Sequence, residues 1–418
     1  STANVGMVYF SQNQFLNHAA INPCFSLLSS LSKQEDFSKQ FNFFDEKERQ
    51  DNIESLLSPV TSSDTTRILL KTRTPDILII ILESFSANVV EITGGLPDIT
   101  PHLNQLGKEG VLFSHVYANS FRTDRGLVAI LNGYPAQPTT SIMKYPAKSQ
   151  TLPSIASSLR KAGYRSDMLY GGDINFTNMQ SYFFSSGYSQ ITSDIDFPIS
   201  DRLSKWGAND DVTFRFLLDH LKGREKEKAP WMTTFLTLSS HEPFEVPYHR
   251  FSHPYLNSVA FTDSCLGNFI SRLKQSEIWD NLLIVLVADH GFRYPEQLKD
   301  YEPDRFHIPM IWSGGAINKP AEINTICNQT DLAATLLGQL GISHQEYSFS
   351  KNILSPHRCD YSFYTFNNGF AFADSLGRYT IYDNESNRVL MEDAGNTIDR
   401  LQKGKALLQT LYDDLGNR

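Results

Sequence analysis

The densest apolar stretch of the chain is Ile77-Leu78-Ile79-Ile80-Ile81-Leu82, entered from Asp76. A continuous, mostly β-branched run without alternation is the pattern of a strand buried on both faces, as in a parallel sheet. It follows directly on a compositional shift at Arg73-Thr74-Pro75. From there two periodicities take turns. Gly110–Tyr117, Tyr164–Tyr170, Trp231–Leu238, Leu282–Ala288 and Ile308–Trp312 read as strands. Leu152–Ala162, Asp211–Leu221, Ser258–Lys274 and Asp331–Leu340 read as helices. This order predicts an α/β fold with a mostly parallel central sheet and helices on both faces. Functional residues in such folds gather at the carboxyl ends of the strands.

The flanks read differently. Residues 1–74 are polar-aromatic and mostly irregular, with two helix-compatible patches, Phe25–Leu31 and Phe44–Leu57. They are expected to be a lead-in that wraps a catalytic domain spanning 75–345. In the remainder, 346–418, the segments Tyr361–Phe366, Phe370–Asp374 and Tyr379–Asp383 suggest a small antiparallel sheet, and Thr397–Leu415 a terminal helix.

Composition narrows the partners. The 418 residues carry a formal net charge of −9, which argues against nucleic acid, because phosphate-backbone binding wants a basic face. Phosphate substrates stay open, since a metal ion supplies positive charge locally. The cysteines Cys24, Cys265, Cys327 and Cys359 form no CxxC or Cys/His cluster and read as buried free thiols, with one or two disulfides as the alternative. No apolar run reaches membrane-spanning length. The chain opens Ser1-Thr2-Ala3, so any membrane anchor is expected upstream of these residues.

Two strand ends carry chemistry. The first strand runs into Glu83-Ser84-Phe85, and Leu282–Ala288 runs into Asp289-His290-Gly291. Carboxylates and a neutral imidazole from two strand ends can converge on one divalent cation. A third piece, Ser120-Phe121-Arg122-Thr123-Asp124-Arg125-Gly126, precedes an apolar helix, Leu127–Leu131. A threonine at a helix start is ordinarily an N-cap. The same place favours an anionic ligand, and a hydroxyl there beside a metal is primed to attack phosphorus. From the local residues alone the capping reading wins. Arg122 and Arg125 are either surface ion-pair partners or clamps on non-bridging phosphate oxygens.

As an ordered set these segments resemble the lipoteichoic acid synthase family, the phosphoglycerol transferases in the sulfatase-like branch of the alkaline phosphatase superfamily. The landmarks are Leu82-Glu83-Ser84-Phe85, Thr100-Pro101-His102-Leu103, the Thr123 loop, Gly133-Tyr134-Pro135, Leu152-Pro153-Ser154-Ile155, Gly163-Tyr164 and Trp206-Gly207 with Asp210-Asp211. They continue through Ser239-Ser240-His241-Glu242-Pro243-Phe244, Ala288-Asp289-His290-Gly291, His307-Ile308-Pro309 and Gln329-Thr330-Asp331-Leu332. The resemblance runs from about Asp76 to Gly341.

It implies an alkaline phosphatase/sulfatase-like fold and specific roles. Glu83, Thr123, Asp289 and His290 match the family's metal-coordinating positions, and Thr123 its nucleophile. His241 matches a catalytic or phosphate-contacting histidine, Trp206 borders the substrate pocket, and His307 is expected to line it. The implied ion is one divalent metal, manganese first, with zinc or magnesium as alternatives; no second carboxylate–histidine motif is present for another. The implied donor is a phospholipid such as phosphatidylglycerol, and the acceptor a glycolipid, a growing polymer or a glycan. The implied place is outside the cytoplasmic membrane, with membrane contact through an N-terminal transmembrane region upstream.

The chain also departs from the family. Its nucleophile loop reads Arg-Thr-Asp-Arg rather than Lys-Thr-Ser-Asp, and Gly-Phe-Arg follows the Asp-His pair in place of Tyr-Gly, which leaves head-group preference open. A phosphoethanolamine transferase, a secreted phosphodiesterase and a non-catalytic glycan- or lipid-binding relative are the alternatives weighed. A true sulfatase needs a Cys/Ser-x-Pro-x-Arg segment, which the sequence lacks.

Overall fold

The computed structural model describes residues 36–57, 65–356 and 359–418, with the Phe176 side chain excepted. The predicted helix Phe25–Leu31 and Cys24 lie outside these residues. Among the described residues nine strands build the main sheet: β1 (Asp76–Leu82), β2 (Val111–Tyr117), β3 (Arg165–Tyr170), β4 (Gln190–Thr192), β5 (Trp231–Leu236), β6 (Leu282–Ala288), β7 (His307–Ser313), β8 (Ala321–Ile323) and β9 (Cys327–Asn328). Their order is β4-β3-β5-β1-β6-β7-β2-β8, with β9 also on β2. The run from β4 to β6 is wholly parallel, and β7 alone runs against its neighbours.

β1 occupies the middle because its side chains suit nothing else. Residues Ile77 to Leu82 are all fully buried, and each such aliphatic contributes roughly 1.5–3 kcal/mol by leaving water. Helices cover the sheet in two groups. Pro101–Glu109 and Asp210–Gly223 both pack against Pro254–Leu273, while Ile155–Lys161 and Asp331–Gln339 pack against Thr123–Asn132.

A second, antiparallel sheet holds β10 (Ser362–Phe366), β11 (Gly369–Ala373), β12 (Tyr379–Asp383) and β13 (Arg388–Glu392), against which the helix Thr397–Asn417 packs. β13 was not foreseen from the sequence: it is a partly exposed edge strand with no alternation to betray it. The helix Glu46–Ile53 falls inside the predicted patch Phe44–Leu57 and rests on the terminal helix. There Arg49 meets Asp413 at 3.4 Å, and Gln409 accepts from the Phe43 and Phe44 amides. No helix among the described residues is long and apolar enough to cross a membrane. Cys265, Cys327 and Cys359 are free thiols.

Candidate active site

Strand register alone brings the two acidic signals together. In the parallel β1–β6 pair Leu82 lies opposite Ala288, so the next residues, Glu83 and Asp289, emerge side by side at the same sheet edge. Glu83 is held there by its backbone: its N–H donates to Thr237 Oγ1 at 2.9 Å, and Ser240 Oγ donates to its carbonyl. The chain then turns through Ser84 in the left-handed region, at φ 55°, a conformation that costs a non-glycine residue about 1–3 kcal/mol. That turn is fixed from both sides. Asp289 Oδ1 accepts the Ser84 N–H at 2.9 Å, and Tyr255 donates its hydroxyl to the Ser84 carbonyl at 2.5 Å.

The third piece arrives on the helix Thr123–Asn132. Arg122, in extended conformation, is its N-cap and offers no side-chain cap; Thr123 is the first helical residue. Its hydroxyl does not cap the helix. Thr123 Oγ1 donates instead to Glu83, lying 3.0 and 3.2 Å from the two carboxylate oxygens. Gly126 permits this approach: a Cβ there would stand 2.1 Å from the Asp289 carbonyl oxygen.

Glu83, Asp289 and His290 are buried together, with one ligand-capable atom from each lying within 4.8 Å of the others. His290 Nε2 is 3.5 Å from Glu83 and 3.6 Å from Asp289, and its Nδ1 donates to the Gly291 carbonyl at 2.6 Å. That bond fixes Nε2 as the atom facing the carboxylates. Burial alone raises a carboxyl, yet for Glu83 the hydrogen bond and charge of His290 prevail and hold it at about 2. Asp289 goes the other way, pushed well up by burial and by the Glu83 charge. Burial opposes the His290 imidazolium, but the two carboxylates outweigh it and lift the ring to about 9.

A divalent cation fits this donor set. Asp289 Oδ2 is fully buried and makes no hydrogen bond, an orphaned anionic oxygen beside a second carboxylate. Two buried carboxylates, an imidazole and a hydroxyl are the ligands of a zinc- or manganese-type centre.

The cluster lies in a cleft of about 1080 Å³. Trp206 and His241 line it with their rings 4.4 Å apart, and both donate to the Glu242 carbonyl, Trp206 from Nε1 at 2.6 Å and His241 from Nδ1 at 2.8 Å. Arg122 and Arg125 line it as well. His307 is not brought there. It opens β7 opposite Tyr117, stacks on that ring at 5.0 Å and donates from Nε2 to the Ser114 carbonyl at 2.9 Å. Its expected place in the pocket wall is thus corrected by the strand register.

Other residues supporting the site went unnoticed in the sequence. Ser84 Oγ bridges Glu83 at 3.0 Å and His290 at 3.4 Å. Gln329, fully buried, donates to the Ala288 and Asp289 carbonyls at 2.7 and 2.5 Å. Both stand within the landmark segments, where only their position was visible. Arg305, on the cleft wall, had no signal at all.

Solved structures share this fold. A protein in the alkaline phosphatase superfamily from Vibrio parahaemolyticus superposes with a TM-score of 0.78 at 24% identity, covering 91% of this chain and 98% of that one. The lipoteichoic acid synthase LtaP from Listeria monocytogenes gives 0.71 at 20% identity, covering 89% and 98%. The chain belongs to the sulfatase family, whose model matches residues 75–342. A lipoteichoic acid synthase of Staphylococcus saprophyticus is 24% identical over 431 residues, covering 93% of this chain and 62% of that protein. Phosphoglycerol transferase I of Xanthomonas campestris pv. campestris is 24% identical over 281 residues, covering 62% of this chain and 40% of the relative. The chain therefore spans less than two thirds of the length of these relatives.

Proposed function

We propose that this domain is a metal-dependent phosphotransferase that moves a glycerophosphate, or a similar phospho head group, from a phospholipid to an acceptor hydroxyl through a phospho-threonine at Thr123. The observation that carries the reading is the Thr123 hydroxyl, at the amino end of a helix and within 3.2 Å of both Glu83 oxygens, beside Asp289 and His290 at the floor of a large cleft. Glu83, Asp289, His290 and Thr123 would hold the ion, manganese first and zinc or magnesium next. When bound, such an ion neutralises phosphoryl oxygens and lowers the pKa of a hydroxyl it touches.

The chain's own groups do the rest. Thr123 Oγ1 points its proton at Glu83, which leaves its lone pairs for phosphorus. As the Thr123 oxygen–phosphorus bond forms, the bond to the leaving alcohol breaks in line with it. His241 has Nδ1 committed to a carbonyl, so Nε2 is the atom free to act; with the ring charged, its N–H donates to a phosphate oxygen and gives the proton to the leaving alkoxide. An acceptor hydroxyl or water then attacks the phospho-threonine, passing its proton to the His241 ring that the first step left neutral, and Thr123 departs, recovering its proton from Glu83. The helix amino end and Arg122 favour the anionic group at each stage.

The relatives' names, lipoteichoic acid synthase and phosphoglycerol transferase I, support transfer of a phosphoglycerol group; the proposed donor is phosphatidylglycerol and the proposed acceptor a glycolipid, polymer or glycan. The proposed location is outside the cytoplasmic membrane, anchored through a transmembrane segment upstream. The absence of a formylglycine-precursor segment separates the domain from sulfate-ester hydrolysis within its family. The test is diacylglycerol release from phosphatidylglycerol vesicles with manganese, run with and without glycerol as acceptor. Thr123-dependent release, with glycerophosphate found on glycerol, is expected. Release from phosphatidylethanolamine alone makes the domain a phosphoethanolamine transferase, and transfer to water alone a phosphodiesterase. No turnover of any diester leaves a non-catalytic relative.

A further inference from the structure

The apolar side chains left in water are not spread evenly over the surface. Among the described residues the three most exposed large ones are Ile199, Leu203 and Ile195, at 81%, 76% and 75%, and all stand in the segment 194–205. A single exposed aliphatic is ordinary, but a cluster on one short segment marks a contact surface. Phe216, at 36%, extends the apolar face from the helix Asp210–Gly223, for its ring meets that of Phe197 edge-on at 5.2 Å.

The segment is built to hold these side chains out. It makes two short 3-10 turns, Asp194–Asp196 and Ile199–Asp201. Ser193 and Asp196 close the first with a capping box, the Ser193 N–H donating to Asp196 at 2.8 Å. Phe197 is buried beneath and anchors it. Arg202 folds back over the second turn, its Nε and Nη2 donating to the Phe197 carbonyl at 3.0 and 2.8 Å. The Lys205 N–H then donates to Glu245 at 2.5 Å. Ordering of this backbone is therefore complete before anything binds, which removes one of the main costs of association.

Position gives the surface its meaning. Asp194 and Arg202 line the cleft, and the residue after each, Ile195 and Leu203, turns to solvent. Ser204, Lys205 and Trp206 then line the cleft again. The apolar crest thus stands on the cleft rim, continuous with the wall that carries Trp206 and His241. Three side chains and part of a ring fall short of the roughly 800 Å² per partner of a specific protein interface. A bilayer demands neither that area nor shape complementarity, since apolar groups dipped about 5–10 Å into its surface bind in proportion to what they bury. Charge does not drive the contact: Asp194, Asp196 and Asp201 stand against Arg202 and Lys205 in the same segment.

We propose that the segment 194–205 is a membrane-docking element, in which Ile195, Ile199 and Leu203 enter the lipid surface and seat the mouth of the cleft against the head groups. The contact is separate from any anchor upstream, and it sets the orientation of the cleft. That role rests on the phosphotransfer reading above, in which the cleft receives a lipid head group.

Co-sedimentation with sucrose-loaded vesicles of phosphatidylcholine and phosphatidylglycerol tests the contact. The wild-type chain is expected to pellet with them at low and high salt alike, because an apolar contact is not screened. An aliphatic moved from water into hydrocarbon is worth about tenfold in partitioning, so the variant Ile195→Ser/Ile199→Ser/Leu203→Ser should lose at least about a hundredfold. An unchanged thermal melt shows that the variant is folded. As an independent reading, Ile199→Trp should gain fluorescence quenching by bromine-labelled lipid beyond that of wild type. Wild type that stays in solution, a triple variant that pellets equally, or no added quenching overturns the docking element. So does self-association of wild type without lipid that the triple variant loses, which makes the face a contact between copies. Turnover separates docking from the reaction. The triple variant should lose at least about tenfold on phosphatidylglycerol in vesicles and keep wild-type rates on soluble bis(p-nitrophenyl) phosphate. If the three side chains govern vesicle binding while no diester shows Thr123-dependent turnover, docking stands and the phosphotransfer reading falls.

Discussion

At the scale of single residues, the account turns on one hydroxyl and the charges around it. Thr123→Ala removes the attacking oxygen and should lower turnover of a phosphodiester by at least about a thousandfold, whereas Thr123→Ser keeps the oxygen and retains measurable activity. Steady-state kinetics on bis(p-nitrophenyl) phosphate reads both; equal losses in the two variants would argue for a structural role. Glu83, Asp289 and His290 were legible in the sequence because each follows an unmistakably apolar strand. Ser84 and Gln329 were not, because their value lies in a left-handed backbone turn and in carbonyls that only folding brings near. His307 misled because its neighbours in the pocket wall were inferred from sequence, while β-pairing hands its ring to Tyr117 and Ser114.

At the scale of elements, two contacts set how the helices meet the sheet. Gly126→Ala would press a methyl group to 2.1 Å from the Asp289 carbonyl, so helix and strand end must part. A loss of about 1–3 kcal/mol in unfolding free energy is expected, the usual cost of overpacking, with activity falling further than stability because Thr123 moves with the helix. Denaturant melts and kinetics on the same sample check this. Asp210 performs the second task. It opens the helix Asp210–Gly223, its Oδ1 accepts from the Leu238 amide at 2.7 Å, and its Oδ2 accepts from Thr262 at 2.5 Å. Burial, opposed by those hydrogen bonds, raises its carboxyl to about 6. A raised carboxyl binds its proton more tightly when folded, so its contribution is fully present below the ordinary aspartate range and is lost as pH climbs through about 6. Relative to Asp210→Asn, the wild type should lose about 1–3 kcal/mol of stability between pH 4 and 6. A difference that grows with pH would contradict the assignment. The long strands and helices of the main sheet were readable, since burial on both faces leaves an uninterrupted apolar signature. The strands of two or three residues, β4, β8 and β9, hold too few positions to show any period.

At the scale of the whole molecule, the buried anionic cluster joins β1, β6 and the Thr123 helix, so filling it should stabilise the entire fold. Manganese at about a hundredfold over its Kd adds about 2.7 kcal/mol by mass action, visible as a rise in Tm that chelation reverses. Asp289→Asn should abolish that rise, and a rise that persists in the variant would place the ion elsewhere. The C-terminal sheet and helix were anticipated in outline, but the contact of the terminal helix with the helix Glu46–Ile53 was not, because it joins segments far apart along the chain. The central claim, that the phospho group passes through Thr123, is tested most directly by intact-protein and peptide mass spectrometry of manganese-loaded protein after incubation with phosphatidylglycerol. The account predicts a glycerophosphate adduct on the peptide that carries Thr123, absent from Thr123→Ala. Turnover of the lipid with no adduct on Thr123, under conditions that trap the intermediate, would contradict it.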